Sequence, residues 1–373
     1  MARSPFFRRL KSMMADLRSD APASSRRTSS AGRRRLLAGA LTLGVASRAS
    51  AAARRTRPKI AVIGAGLAGL TAAHALRRAG HDADVFEASA RLGGRCFSER
   101  AAFADGQIAE RGGEFLDTAH TEILTLAKAL GLAVDDVLAD EVAGTEDWTW
   151  FDGARYSHAE VNRDFRAVYP ILQKQAREIG DRYGYADSSR MAREIDAMSA
   201  QDWIERHVPG GMASRFGRLV TNAFEEEYAA DAGHLSALNL VITLSASERD
   251  DFHAYAASDQ RYHIRGGNDT LVAALEASLA RPVEREAPLL ALARRHDGRF
   301  DVTIGRSAGT LTDRYDRVIL ALPFSNLRDV DLSRAGFRPR KLRAIRELPM
   351  GASTKLQLQF GDRVWRPAGN NGE

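Results

Sequence analysis

Gly64, Gly66 and Gly69 form a G-x-G-x-x-G, with Ala65 between the first two glycines. The apolar run from Lys59 to Ile63 comes just before it and reads as a buried strand. Leu67 to Arg78 follows with helical spacing, and Gly80 closes that helix. Ala83 to Phe86 reads as the next strand, and Glu87 stands at its end, eighteen residues beyond Gly69. In this setting each residue type has a task. Gly64 permits a tight turn, Gly66 lets the main chain approach a pyrophosphate, and Gly69 lets the helix sit close to the strand. The helix N-terminus offers unpaired N–H groups and the positive end of its dipole to phosphate oxygens. The Glu87 carboxylate can accept hydrogen bonds from ribose hydroxyls. The spacing therefore predicts a dinucleotide-binding strand–turn–helix–strand unit.

Arg91, Leu92, Gly93, Gly94 and Arg95 follow at once. A second glycine pair flanked by arginines, so near the ribose acid, suits a ligand with an extended pyrophosphate. The Arg95 guanidinium would neutralise a phosphate through charge-assisted hydrogen bonds. A solvated arginine on a glycine-rich loop is the plainer alternative. Other reactive residue types carry less. Cys96 is the single cysteine, so an intramolecular disulfide and a cysteine-based zinc site are both excluded. It reads as an unreactive core thiol, and no metal-ligand cluster is expected. Trp148, Trp150 and Phe151 read as core, His74 as a packed or surface histidine, and Glu225 to Glu227 as a solvated face.

Elements beyond the first unit must complete the framework. Ile123, Leu126, Ala127 and Leu130 recur at helical spacing before Gly131. Residues 140–260 are mostly helical in pattern. Tyr262 to Ile264 looks extended, and Asn268 or Asp269 can cap a helix running through Leu271, Leu275 and Leu279. Leu289 to Ala293 and Phe300 to Ile304 flank Asp297-Gly298, a hairpin signal. Arg317 to Leu322 is another buried-type strand, stopped by Pro323, and Lys355 to Phe360 is strand-like. The order is an α/β unit, a helical insertion, then a β-meander. It suggests one dinucleotide-binding domain interrupted by a second domain.

With these elements in place, Lys59 to Arg95 resembles the N-terminal signature of the flavin amine oxidase family, which includes monoamine, polyamine and many L-amino acid oxidases. Further segments resemble that family in order. Glu110-Arg111-Gly112-Gly113-Glu114 is similar to its second Gly-Gly motif. Tyr262 to Asp269 is similar to a segment ahead of a helix in bacterial members, and Val318 to Pro323 to a strand that returns to the cofactor. Pro349-Met350-Gly351-Ala352-Ser353-Thr354-Lys355 matches P-x-G-x-x-x-K.

The resemblance implies an α/β fold: a Rossmann-like FAD-binding domain of the two-dinucleotide-binding type with an inserted, mostly helical α+β substrate domain. Residues 58–139 and 260–325 would form the first, and 140–259 and 326–373 the second. It implies FAD held by Gly64, Ala65, Gly66, Gly69, Glu87, Arg91, Gly93, Gly94, Arg95, Gly112, Gly113 and Glu114, with the Val283 backbone at the adenine. Lys355 would order a water near flavin N5. The implied activity is oxidation of an amine or amino acid to an imine by hydride transfer to N5, with oxygen as acceptor and hydrogen peroxide as product. A related FAD desaturase or a protoporphyrinogen-oxidase-like enzyme is the alternative, P-x-G-x-x-x-K favouring the amine oxidases. Family members continue beyond the counterpart of Glu373 with a closing strand, a glycine-rich turn and a helix. An incomplete substrate domain, and even an inactive FAD-binding remnant, are therefore further expectations.

The 373 residues carry a net charge of +6, with 44% hydrophobic and 27% charged residues, as in globular proteins. The basic charge is unevenly placed. Residues 1–57 hold fourteen Lys and Arg against two Asp, so residues 58–373 are net negative. A folded nucleic-acid-binding surface is thereby disfavoured, and no apolar run is long enough for a permanent membrane span. Gly32-Arg33-Arg34-Arg35-Leu36-Leu37 resembles a twin-arginine signal. A modest apolar run follows it, and then Ala49-Ser50-Ala51, a cleavage pattern. The expected partner is the twin-arginine export machinery, and the expected location is periplasmic or secreted.

Overall fold

The computed structural model describes residues 57–145, 147–255, 258–366 and 369–371. The residues read as an export signal, 32–37 and 49–51, lie outside the described residues. The chain divides into two compact units. One takes residues up to 94 together with 275–339, and the other takes 95–274 together with 340–373. The resemblance implied boundaries at 139, 259 and 325. Residues 95–139 fall in the second unit, where Val134–Asp136 pairs antiparallel with Tyr262–Ile264.

The first unit begins with β1 (Ile60–Ile63), whose four residues are all buried. A strand covered on both faces is expected to read as an unbroken apolar run, as this one does. Helix α1 (Leu67–Arg78) buries Gly69, Leu70, Ala73 and Leu76, and ends with Arg77 and Arg78 where cations suit the dipole. β2 (Ala83–Phe86) lies parallel to β1 with Ile60 opposite Ala83 and Ile63 opposite Phe86. An antiparallel meander follows: β3 (Leu289–Arg294), β4 (Phe300–Arg306) and β5 (Gly309–Tyr315). Its β3–β4 hairpin is the one signalled by Asp297-Gly298. β5 has no counterpart in the sequence reading. It alternates exposed and half-buried residues and carries no buried apolar run. Finally β6 (Arg317–Leu320) returns to pair in parallel with β1 on the side opposite β2.

The second unit is built mainly from helices. His158–Ile179, Arg190–Asp196, Ala200–His207, Arg215–Tyr228 and Ala237–Leu244 each begin after a serine whose hydroxyl accepts a backbone N–H of the first turn. At the first of them Ser157 and Glu160 form a reciprocal capping box. The helices enclose a core of Phe165, Leu172, Trp203, Ile204, Leu240 and Leu244, all at most 1% exposed. Phe151 packs against this core, whereas Trp150 is 60% exposed, contrary to its expected core role. On the Thr149–Phe151 strand successive side chains face opposite ways, so one inward aromatic forces its neighbour outward.

Short antiparallel pairs complete this unit, among them Ser98–Glu99 with Ala109–Glu110. The strand expected at Lys355 to Phe360 does not form. Its alternation is real, but the polar positions use side chains to attach the segment. Gln357 Nε2 donates to the Glu110 carbonyl at 2.9 Å, and Gln359 exchanges two hydrogen bonds with the Ala104 main chain. Leu356 and Leu358 consequently face solvent, 80% and 66% exposed. Among the described residues no helix is long and apolar enough to cross a membrane.

Candidate cofactor site

The sequence-predicted residues fall into two groups, one in each unit. In the first unit the loop between β1 and α1 carries the glycine triad. Gly64 has φ +97°, and a Cβ there would lie 2.8 Å from the Ala321 carbonyl oxygen. A Cβ on Gly69 would lie 1.8 Å from the Gly64 oxygen. The fold itself therefore demands glycine at both positions. Gly66 is different. Its φ of −74° suits any residue, and a Cβ would meet nothing closer than the Gly93 oxygen at 3.7 Å. Nothing in the protein requires glycine there, and the missing side chain is what would let a phosphate approach the main chain closely. Gly66 caps α1 without a side-chain hydrogen bond, so no side chain competes for the first-turn N–H groups.

Around this turn the loop residues brace one another. Gly93 N donates to the Ala65 oxygen at 2.9 Å, and Gly93 and Gly94 both have positive φ. Arg91, expected among the cofactor-binding residues, donates from its guanidinium to the Leu92 and Gly94 carbonyls at 2.8 and 2.7 Å. These bonds brace the glycine pair. Glu87 accepts from Ala65 N at 2.8 Å through one oxygen, and from Ser89 N and Oγ through the other. A carboxylate has about four acceptor sites, so capacity remains for a hydroxyl. Beyond β2, Glu284 is held on both sides, its N–H by Val85 and its carbonyl by Glu87 N. Neighbouring Val283 is 7% exposed, yet its own N–H and C=O make no hydrogen bond among the described residues. An unpaired peptide beside a well-paired one suits recognition of a planar base edge.

The second unit holds Arg95, Gly112, Gly113, Glu114 and Lys355. A Cβ on Gly112 would lie 1.8 Å from the Arg95 carbonyl oxygen, so close packing explains that glycine. A Cβ on Gly113 would meet nothing within 4 Å. The Arg95 side chain is exposed and makes no ion pair among the described residues. Lys355 Nζ pairs with Glu114 Oε2 and lies 3.4 Å from the Gly112 carbonyl oxygen, both side chains being part-exposed. The segment leading to Lys355 is seated by Gly351. There Ala352 N donates to the Ala229 oxygen, and a Cβ on Gly351 would lie 2.5 Å from the Ala229 Cβ. The glycine of P-x-G-x-x-x-K is thus a packing residue at the end of the Arg215–Tyr228 helix. Cys96 is buried, and among the described residues no group of three or more His, Cys, Asp and Glu could hold a metal ion.

Beside this pair lies a polar network that the sequence reading did not assign. Glu110, 1% exposed, accepts from Ser98 Oγ, Asn268 N and His263 Nε2. Asp269 accepts from both Arg100 Nη atoms at 3.0 and 2.5 Å and from Ser98 N at 3.3 Å. Burial works to raise the Asp269 pKa. The hydrogen bonds from Arg100 and the Ser98 amide outweigh it and hold the carboxyl below the usual range. A folded-state pKa below the unfolded value near ~3.9 means stability that is complete above that value and lost as pH falls through the folded one. The melting temperature is expected to drop on acidification from about pH 5 to pH 3, and Asp269→Asn to reduce that slope. Equal slopes for both proteins would show that Asp269 contributes nothing to acid sensitivity.

Comparison with known proteins gives this geometry a context. A family profile described as flavin-containing amine oxidoreductase matches residues 67–373. A flavin-dependent L-tryptophan oxidase of Lentzea aerocolonigenes is 26% identical over 85% of this chain and 69% of its own length. An L-amino-acid oxidase of Echis ocellatus is 25% identical over 86% of this chain and 62% of its own. Putrescine oxidase bound to putrescine superposes with a TM-score of 0.60 at 20% identity, over 78% of this chain and 63% of that one. Cyclohexylamine oxidase from Brevibacterium oxydans gives 0.58 at 22%, over 75% and 62%. The structural likenesses establish an α/β fold of the amine-oxidase kind. The chain spans roughly six- to seven-tenths of the length of these relatives.

Proposed function

Because the chain belongs to the flavin-containing amine oxidoreductases, whose cofactor is FAD, we propose that it oxidises a small amine or amino acid to the imine, passing the electrons to oxygen and releasing hydrogen peroxide. The observation that carries this reading is the turn between β1 and α1, where Gly64 and Gly69 admit no side chain and Gly66 caps α1 with none of its own over the first-turn N–H groups. These residues fit FAD. The Gly66 main chain and the α1 N-terminus would hold its diphosphate, Glu87 its ribose, and the Val283 peptide its adenine, with Gly64 and Gly69 shaping the turn. When bound, FAD supplies the two-electron acceptor for the hydride leaving the substrate α-carbon.

The protein's own contribution is positioning. Arg91 holds the Gly93–Gly94 loop in shape, and the Glu114 carboxylate fixes the Lys355 ammonium. Lys355, with Gly112, Gly113 and Glu114 around it, is the group proposed to order a water at the flavin end, and exposed Arg95 is left to pair with a phosphate. We further propose that the Rossmann-like domain is interrupted by the helical substrate domain. The arginine-rich leader is proposed to take the folded holoprotein out of the cytoplasm by the twin-arginine route to the periplasm or beyond. The decisive experiment purifies the full chain, adds FAD, records the visible spectrum, and screens amines and L-amino acids for peroxide. Flavin bands with peroxide from at least one substrate support the proposal. Flavin bands without peroxide or bleaching across a broad screen would overturn the oxidase reading, and no flavin bands would leave a non-catalytic role.

A further inference from the structure

The buried carboxylate of Glu110 is the least explained charge in the second unit. Three donors converge on it: Oε1 accepts from Asn268 N and His263 Nε2 at 2.8 and 3.0 Å, and the Ser98 hydroxyl is shared between Oε1 at 2.8 Å and Oε2 at 2.9 Å. At 1% exposure the carboxylate is closed off from solvent, and its donors are all groups of the protein. What it does hold is Asn268, itself 6% exposed. The Asn268 side-chain amide donates to two successive carbonyls, Gly113 at 3.1 Å and Glu114 at 2.7 Å, while its oxygen accepts from Ile264 N at 3.1 Å. Those carbonyls belong to the turn whose Glu114 side chain pairs with Lys355.

Glu110 also acts from the other direction. Its main-chain oxygen accepts from Gln357 Nε2 at 2.9 Å, two residues beyond Lys355 on the segment that carries it. Gly267, with φ +104°, makes the arrangement possible, since a Cβ there would come within 2.6 Å of Ser98 Oγ. Both partners of the Lys355–Glu114 pair are therefore hung on one buried residue, Glu114 through Asn268 and Lys355 through Gln357.

We infer that Glu110 and Asn268 are positioning residues that fix the Lys355 ammonium through Glu114. The relevance of this clamp to catalysis rests on the flavin role proposed for Lys355; the clamp itself does not. The test is competitive trace acetylation of the full chain with FAD added, read by mass spectrometry lysine by lysine. In Asn268→Ala the loss of two hydrogen bonds to the turn loosens the pair. Lys355 should then react about fivefold faster relative to Lys128 and Lys174, whose rates stay fixed. An unchanged Lys355 rate, or an equal rise at all three lysines in a protein that still melts cooperatively, overturns the inference. Should Asn268→Ala lose cooperative melting, Gln357→Ala removes the other arm from a part-exposed position. It is expected to speed Lys355 selectively by about twofold, and no selective change there overturns the inference equally. FAD titration of the same variants separates the two readings. Selective labelling with unaltered FAD affinity and unaltered flavin spectrum upholds the clamp and removes Lys355 from the flavin end.

Discussion

Gly66→Ala is expected to lower FAD affinity by about a hundredfold while leaving the protein folded, because one lost charge-assisted hydrogen bond to phosphate plus steric displacement amounts to ~3 kcal/mol. The stability side of this expectation follows from the local backbone. With φ −74° and no neighbour within 3.7 Å, an alanine methyl fits without strain. Alanine is a poorer N-cap than glycine, which costs a few tenths of a kcal/mol or more, and it restricts the unfolded chain, which returns a similar amount. The two effects offset, so the melting temperature of the apoprotein should move by only a few degrees. Gly69→Ala is the contrasting control. There a Cβ would sit 1.8 Å from the Gly64 oxygen, so the loss should be of folding itself. Fluorescence titration with FAD and thermal melts of both variants decide the matter. If Gly66→Ala binds FAD as the parent does, the diphosphate does not approach that residue and the cradle reading is wrong.

The different tasks of these two glycines were legible in the sequence, as was the triad itself. A strand, a turn, a helix and an acid within thirty residues are local, and their spacing is fixed by backbone geometry, so Ile60–Ile63, Leu67–Arg78 and Ala83–Phe86 could be read directly. The hairpin at Asp297-Gly298 was legible for the same reason. What escaped notice depends on partners remote in the chain. Glu110 meets Asn268 across 158 residues, and Lys355 meets Glu114 across 241, separations at which no periodicity operates. The Gly309–Tyr315 strand alternates exposed and half-buried residues along most of its length, so it offers no apolar run to mark it. The opposite error arose at Lys355 to Phe360. Alternation predicts a strand only where another strand is available to pair with it, and here Gln357 and Gln359 make the attachment through side chains instead.

Lys355→Met is expected to retain FAD within a few-fold of the parent affinity and to slow the oxygen half-reaction by about a hundredfold, with a smaller effect on reduction by substrate. The affinity expectation follows because the diphosphate, ribose and adenine contacts proposed above fall to Gly66, Glu87, Val283 and Arg95 and not to Lys355. The rate expectation follows from charge. Oxygen acquires negative charge as it is reduced, and an ammonium about 4 Å away is worth ~4 kcal/mol at an effective dielectric of 20. Part of that is already cancelled, because Glu114 is ion-paired with Lys355. Removing the lysine leaves the carboxylate alone, so the local field changes sign and does not merely vanish. Glu114→Gln should consequently do the opposite, leaving an uncompensated ammonium and an oxygen reaction at least as fast as the parent's. The double variant, with neither charge, should fall between the two single variants. Stopped-flow measurement of reduction and reoxidation separates the half-reactions. A Lys355→Met protein that reoxidises at the parent rate, or a Glu114→Gln protein slowed as much as Lys355→Met, would exclude an electrostatic role for the pair. The P-x-G-x-x-x-K segment would then be a structural element whose lysine only closes the Gly112–Glu114 turn.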